Sequence, residues 1–250
     1  MADSLVAPSF ADDVLVVVPA RGGSKRIPRK NIVDVCGQPM ICWPLMELAK
    51  IVHPDQLIVS TDDAEIKELV EDKGLSVPFL RPKSLSDDFT ATLPVIHHAL
   101  NWYENHVRKV TYVLVVYPTA VMIDCADVLR SYQTLRENEL CDVVFSATSF
   151  AFPIQRAIFE DESGYVSMFH PEFHSARSQD LQEAMHDAGQ FYFFRSGSIK
   201  LGRELPNAKA RICKLDRSRV ADIDTIEDLE VAKSQLIRAN KDKPFLQWSF

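Results

Sequence analysis

Residues 14–31 read VLVVVPARGGSKRIPRKN. The stretch sets a continuous β-branched run against two adjacent glycines and the cations Arg21, Lys25, Arg26, Arg29 and Lys30. An uninterrupted apolar run of this length is the pattern of a strand covered on both faces in a parallel sheet. Gly22 and Gly23 can turn tightly and let backbone N–H groups approach an anion, while the cations supply charge. Two glycines and a solvated basic surface would be the plainer reading of such a turn; its place directly after the first buried strand favours an anion site. The spacing is neither the Walker A pattern nor G-x-G-x-x-G, so the P-loop ATPase and dinucleotide readings lose ground.

Similar runs recur at LIVST (57–61), YVLVVY (112–117) and DVVFSA (142–147). Between them lie helical patterns, the clearest being DDAEIKELVEDKG (62–74), which opens with acids at the positive end of the helix dipole and stops at Gly74. This alternation predicts right-handed βαβ crossovers and an α/β, doubly wound, mostly parallel sheet, with ligands beyond the carboxyl ends of the strands. The loops at 19–31, 60–63 and 117–124 should then meet. The pattern lapses over about 150–190, through SFAFPIQRAIF and FHPEFHSARSQDLQEAMHDAG, and resumes at QFYFF (190–194). The lapse reads as an insertion, suited to an oligomer contact, within one domain spanning 1–250. A last helix is expected over 224–239, with Ile226, Leu229, Val231, Ala232, Leu236 and Ile237 as its apolar side; the tail KDKPFLQWSF (241–250) is left unassigned.

The formal charge of -7 in 250 residues argues against a nucleic-acid or anionic-membrane surface spread over the protein, so any polyanion site is local. No apolar run approaches the roughly 20 residues that span a bilayer, and the N-terminal stretch lacks a basic leader segment, so a cytoplasmic protein without membrane or nucleic-acid partners is expected. Cys36, Cys42, Cys125, Cys141 and Cys213 are scattered without a C-x-x-C pair and read as reduced, mostly buried residues. His97 and His98, on a predicted helix, read as packing or surface residues, and His186 as a structural histidine at least as readily as a site residue.

PARGGSKRIPRKNI closely resembles the signature of sugar-acid cytidylyltransferases, which make CMP-activated nonulosonic acids. Further matches follow in that family's order: IVSTDDAEI (58–66), LRPKSLSDDFTAT (80–92), YPTA (117–120), ARSQDLQEAMHDAGQFYF (176–193) and ADIDTIEDL (221–229). Within the family, SDDFTAT and RSQDL with HDAGQFY look most like the pseudaminic acid branch. Tyr117 stands where sialic acid enzymes commonly show a glutamine.

The resemblance implies a Rossmann-like nucleotidyltransferase fold, a homodimer contact through the insertion, and CMP transfer from CTP to the anomeric hydroxyl of a nine-carbon sugar acid, releasing pyrophosphate. Transfer of a phosphoryl group from a triphosphate is mainly an electrostatic task of clamping charge. By resemblance, Ala20, Arg21, Gly22, Gly23, Ser24 and Lys25 would hold the triphosphate, with Arg21 and Lys25 acting in catalysis, and Lys30 and Asn31 would approach phosphate and ribose. Arg81, with Ser86, Thr90 or Thr92, would read cytosine. Tyr117, Thr119 and Gln190 would meet the sugar, joined by Arg177 and Gln179, with Arg177 reaching a neighbouring subunit's site.

Asp222 and Asp224 lie two apart, project from one face if extended, and by resemblance bind Mg²⁺. Asp224 could equally cap the following helix, with Glu227 completing a capping box. The residues identify no general base beyond Asp222, acting directly or through water. The alternatives are the same reaction on N-acetylneuraminic, legionaminic or 3-deoxy-manno-octulosonic acid, or a non-catalytic nucleotide-binding protein of this fold.

Overall fold

The computed structural model describes residues 10–241. The leader reading of the first residues and most of the unassigned tail lie outside them. In chain order the elements are β1 (Val14–Pro19), β2 (Asp34–Val35), β3 (Gln38–Pro39), α1 (Cys42–Leu48), β4 (Leu57–Ser60), α2 (Ala64–Glu71), α3 (Thr92–His106), β5 (Tyr112–Val116), α4 (Cys125–Glu137), β6 (Val143–Ser149), β7 (Ile158–Glu160), β8 (Val166–Met168), β9 (Met185–Arg195), α5 (Ser196–Lys200), β10 (Ala210–Lys214) and α6 (Ile226–Ala239).

Six strands form one sheet in the order β10-β6-β9-β5-β1-β4. β1 pairs in parallel with β4 and β5, and β10 with β6, while β9 runs antiparallel to both of its neighbours. Alternation along β1 decides the layers. Val14, Val16 and Val18 face a core closed by α1, α2, α4 and α6; Leu15 and Val17 face a second core closed by α3 and α5. All five residues are fully buried. The expected doubly wound, mostly parallel sheet is therefore present, with helices on both faces.

β9 matters for the site because an antiparallel strand starts where its parallel neighbours end. Its register with β6 shifts between Phe145 and Ala147, and Gly189 there takes φ +62°, a left-handed conformation that favours glycine. Ser146 Oγ accepts from the Phe191 N–H at 3.1 Å, sealing the irregularity. Tyr117 N–H donates to the Gln190 carbonyl at 2.9 Å, which fixes the loop after β5 beside Gly189.

The 150–190 stretch is not structureless. It carries the β7/β8 hairpin and short 3-10 turns, and projects Phe152, Ile158, Tyr165, Val166 and Phe169 into solvent. On α6 only Leu229, Ala232 and Leu236 of the expected apolar side are buried; Ile226, Val231 and Ile237 are exposed. Its cap also differs from expectation. Thr225 is the N-cap and Asp228, not Glu227, completes the box: Thr225 Oγ1 accepts from the Asp228 N–H at 3.2 Å, and Asp228 Oδ2 accepts from the Thr225 N–H at 2.8 Å. Asp224 is thereby free of capping duty. No cysteine is in a disulfide; Cys42, Cys141 and Cys213 are buried, and Cys36 and Cys125 partly so.

Candidate active site

The loops after β1 and β5 line a cleft of about 650 Å³ together with the segment between α2 and α3, while the expected third loop, 60–63, packs against the opening loop without lining the cleft. Arg21, Ser24, Lys25, Arg26, Lys30 and Asn31 contribute to the lining from one loop, Arg81, Asp88, Thr90 and Thr92 from a second segment, and Tyr117, Thr119, Gly189 and Asp222 from others. Contact between the loops after β1 and β4 explains the first glycine. The Gly22 N–H donates to Asp62 Oδ1 at 3.0 Å, and a Cβ at Gly22 would overlap the Asp63 carboxylate. Gly23 has open space around it, and Ala20 is fully buried, its N–H donating to the Ser60 carbonyl at 2.9 Å. Asn31 is also buried; its Nδ2 donates to the Arg21 carbonyl at 2.8 Å and so holds the loop's shape from behind.

Every cation of the opening loop has a carboxylate partner from elsewhere in the chain. Arg21 meets Asp88 at 2.7 Å, and Lys25 pairs with the other oxygen of the same carboxylate. Lys25 and Arg21 together hold the Asp88 carboxyl below its usual range. Arg26 and Lys30 both reach Asp224 Oδ1, at 2.8 and 3.1 Å, and Lys30 Nζ also donates to the Ile223 carbonyl at 2.7 Å. Arg29, at φ 56°, is clamped by Asp63 and Glu65, its guanidinium raised above its ordinary value chiefly by the Asp63 hydrogen bond.

Arg81 is 7% exposed, with Nε donating to Ser60 Oγ at 3.2 Å and Nη2 to the Ser60 carbonyl. Burial lowers its pKa, with Asp62 partly opposing. A buried guanidinium that lines the cleft is a directional donor rather than a surface charge. Thr90 is tied to Asp87 Oδ1 at 2.7 Å, and Thr92 Oγ1 shares a 2.7 Å hydrogen bond with Tyr117 Oη. Ser86 turns away, donating to the Pro82 carbonyl at 3.0 Å, and is not part of the cleft wall. Beyond Thr92 and Tyr117 opens an apolar side cavity of about 270 Å³, lined by Leu93, Ile96, Val115, Tyr192 and Phe194 among others. Burial raises the pKa of the Tyr117 phenol, and the Thr92 hydrogen bond partly offsets this.

Asp222 lines the cleft with Gly189 beside it, whereas Asp224 is not part of the lining. The Asp222 carboxylate makes no hydrogen bond or ion pair among the described residues. Its carboxyl is raised above the usual range, first by partial burial and next by the charge of Asp224. A divalent cation shared by the two would meet Asp224 with its Oδ1 already paired to Arg26 and Lys30. Among the described residues no group of three or more His, Cys, Asp or Glu side chains is placed to hold a metal, so such an ion would complete its coordination with phosphate oxygens and water.

Three expected sugar contacts stand apart from the cleft. Gln190 is buried, its amide donating to the Arg219 carbonyl at 2.5 Å. Arg177 and Gln179 are exposed on the 150–190 arm and do not line this chain's own cleft. His97 is partly exposed on α3, His98 packs edge-on against Phe79, and His186 bonds the Asp187 carbonyl at 2.8 Å. Sequence reasoning missed the acids that organise the cations, Asp62, Asp63 and Asp88. The available signal was two acid pairs, TDD and SDD, on loops facing a basic one.

A cationic glycine loop at the carboxyl edge of a doubly wound sheet, with a buried arginine and an aspartate across the same cleft, defines an α/β nucleotide-handling enzyme. The chain belongs to the cytidylyltransferase family, whose profile matches residues 15–236, and it is a nucleotidyltransferase. It is 37% identical over 231 residues to a pseudaminic acid cytidylyltransferase of Campylobacter jejuni, covering 92% of this chain and 99% of that one. A Helicobacter pylori protein described as a pseudaminic acid cytidylyltransferase and UDP-2,4-diacetamido-2,4,6-trideoxy-beta-L-altropyranose hydrolase is 28% identical, over 92% of this chain and 44% of its own. The solved CMP:2-keto-3-deoxy-manno-octonic acid synthetase complexed with CTP shares the fold, with TM-score 0.68 at 17% identity, covering 91% of this chain and all of that one.

Proposed function

We propose that this chain transfers CMP from CTP to the anomeric hydroxyl of pseudaminic acid, releasing pyrophosphate. The observation that carries the reading is convergence. Arg21, Lys25 and Lys30 on one loop, Arg81 from the segment between α2 and α3, and Asp222 after β10 come from distant parts of the sequence to one 650 Å³ cleft.

In this reading Arg21, Ser24, Lys25 and Lys30 bind the triphosphate and offset the charge that builds on the leaving pyrophosphate. Gly22 and Gly23 keep the loop backbone close, and Asn31 holds its curvature. Arg81 reads the acceptor edge of cytosine, with Thr90 and Thr92 nearby. Magnesium held by Asp222, Asp224 and the phosphates would stabilise charge on the α-phosphoryl group in transfer. Asp222, which lines the cleft, would accept the proton of the attacking hydroxyl directly or through bound water.

The acceptor lies between Tyr117, Thr119 and Asp222. Its acylamino and deoxy carbons find an apolar recess in the cavity behind Thr92 and Tyr117. The working unit is one cytoplasmic catalytic domain whose 150–190 arm reaches a second copy, bringing Arg177 and Gln179 to the partner's acceptor carboxylate.

Pyrophosphate release measured with CTP and a panel of pseudaminic, N-acetylneuraminic, legionaminic and 3-deoxy-manno-octulosonic acids tests the reading. Turnover should be greatest with pseudaminic acid, and activity confined to another acid would overturn that choice.

A further inference from the structure

One contact is not used by the proposed reaction. Asp88, on the turn between α2 and α3, reaches 67 residues back in sequence to Arg21 and bridges it to Lys25 with its two carboxylate oxygens. Arg21 Nη1 is held further by the Asp87 carbonyl at 3.0 Å. Lys25 is 81% exposed, and its ammonium would otherwise stand free in solvent. Neither cation has another carboxylate partner among the described residues. All three side chains line the same cleft. One anion spanning two cations on a glycine loop is the contact geometry of a phosphate group, made here by the protein itself.

We infer that Asp88 is an internal stand-in for a phosphate: it holds Arg21 and Lys25 in their working positions when the cleft lacks nucleotide, yields to the incoming triphosphate, and returns to speed pyrophosphate release. The inference rests on the reading of the opening loop as the triphosphate site. The energetics favour exchange. Exposed ion pairs are individually weak, whereas CTP brings several charges to the same two cations and to Lys30. The bridge is strong enough to order two long side chains and weak enough to be displaced. The Asp87 carboxylate supports it indirectly, accepting from the Phe89 and Thr90 N–H groups at 3.0 and 2.7 Å and so shaping the turn that presents Asp88.

The sign of the effect separates this role from a structural one. A residue that merely supported the cleft would weaken CTP binding when lost; a competitor strengthens it. With the full-length protein, CTP and pyrophosphate affinities are measured by titration calorimetry in magnesium without acceptor, and pyrophosphate inhibition is measured in turnover. Asp88→Asn should tighten both ligands by about two- to five-fold, the size expected of losing an exposed ion-pair competitor, and should deepen product inhibition to match. Asp88→Glu, which restores the charge, should return both constants toward wild type.

Unchanged or weaker CTP and pyrophosphate binding by Asp88→Asn, or a raised magnesium requirement for CTP binding, would overturn the inference. Arg21→Ala and Lys25→Ala run in parallel should each weaken CTP about ten-fold or more, as loss of a charge-assisted phosphate contact does. If they do not, the triphosphate reading of the loop falls; if they do and Asp88→Asn fails to tighten binding, only the role of Asp88 falls.

Discussion

Asp222 illustrates how a residue suited to chemistry is a poor one for stability. An unfolded chain ionises such a carboxyl near the ordinary value of about 3.9, and the fold raises it through partial burial and Asp224. Between the two values the unfolded chain has lost a proton that the folded chain retains. Stability therefore falls as pH rises through that window, and the cost persists at neutral pH. Asp222→Asn should raise Tm slightly at pH 7 in calorimetry, with the gain vanishing below about pH 4, where the carboxyl is protonated in both states. The same substitution should cut turnover by about 100-fold or more, with CTP binding less affected, if the carboxylate works in the transition state. Gly22 is constrained differently, by space. Gly22→Ala drives a methyl group into Asp63, which clamps Arg29 and caps α2 through the Glu65 and Ile66 N–H groups, both at 3.0 Å. Denaturant unfolding should show a loss of about 1–3 kcal/mol from overpacking, accompanied by weaker CTP binding in calorimetry.

At the scale of elements, the capping box of α6 does two jobs. By taking the helix N-terminus, Thr225 and Asp228 leave Asp224 to Arg26 and Lys30, and Asp228 Oδ2 also receives the Asp224 N–H at 3.1 Å. Thr225→Ala should cost about 1 kcal/mol in urea unfolding, as lost caps do, and should raise the magnesium needed for half-maximal rate by loosening Asp224. Sequence reading placed this helix to within two residues but misassigned its cap, because ADIDTIED offers two acid-based boxes one residue apart and only the backbone path chooses between them. The β-branched runs of β1, β4, β5 and β6 were legible because burial on both faces leaves no room for polar alternation. QFYFF announced a buried strand equally well, but an apolar run carries no information about direction. That β9 is antiparallel, and that it begins at Met185 beside the site, became visible only in the fold. The same limit applied to Asp88 and Asp63, whose partners lie 34 to 67 residues away along the chain.

The whole molecule is legible as a cytidylyltransferase from six ordered segments, yet two of the residues those segments supplied, Arg177 and Gln179, are exposed and do not line the cleft of their own chain. They sit on an arm whose Phe152, Tyr165, Val166 and Phe169 are each at least 60% exposed, an apolar display that a second copy would cover. In a two-fold dimer each arm can complete the other's site. That arrangement makes a prediction no monomer can meet. Arg177→Ala alone should raise KM for the sugar acid and leave that for CTP unchanged, and Asp222→Asn alone should be nearly inactive. When the two variants are unfolded together and refolded as a mixture, half of the dimers pair one chain of each kind. In these, one site combines an intact Asp222 with an intact Arg177 from the partner, so the rate at sugar-acid concentrations well below KM should recover to about a quarter of wild type. Sedimentation should find dimers in every sample. Recovery no greater than the average of the separate variants would mean that Arg177 acts in its own chain's cleft, or nowhere near one.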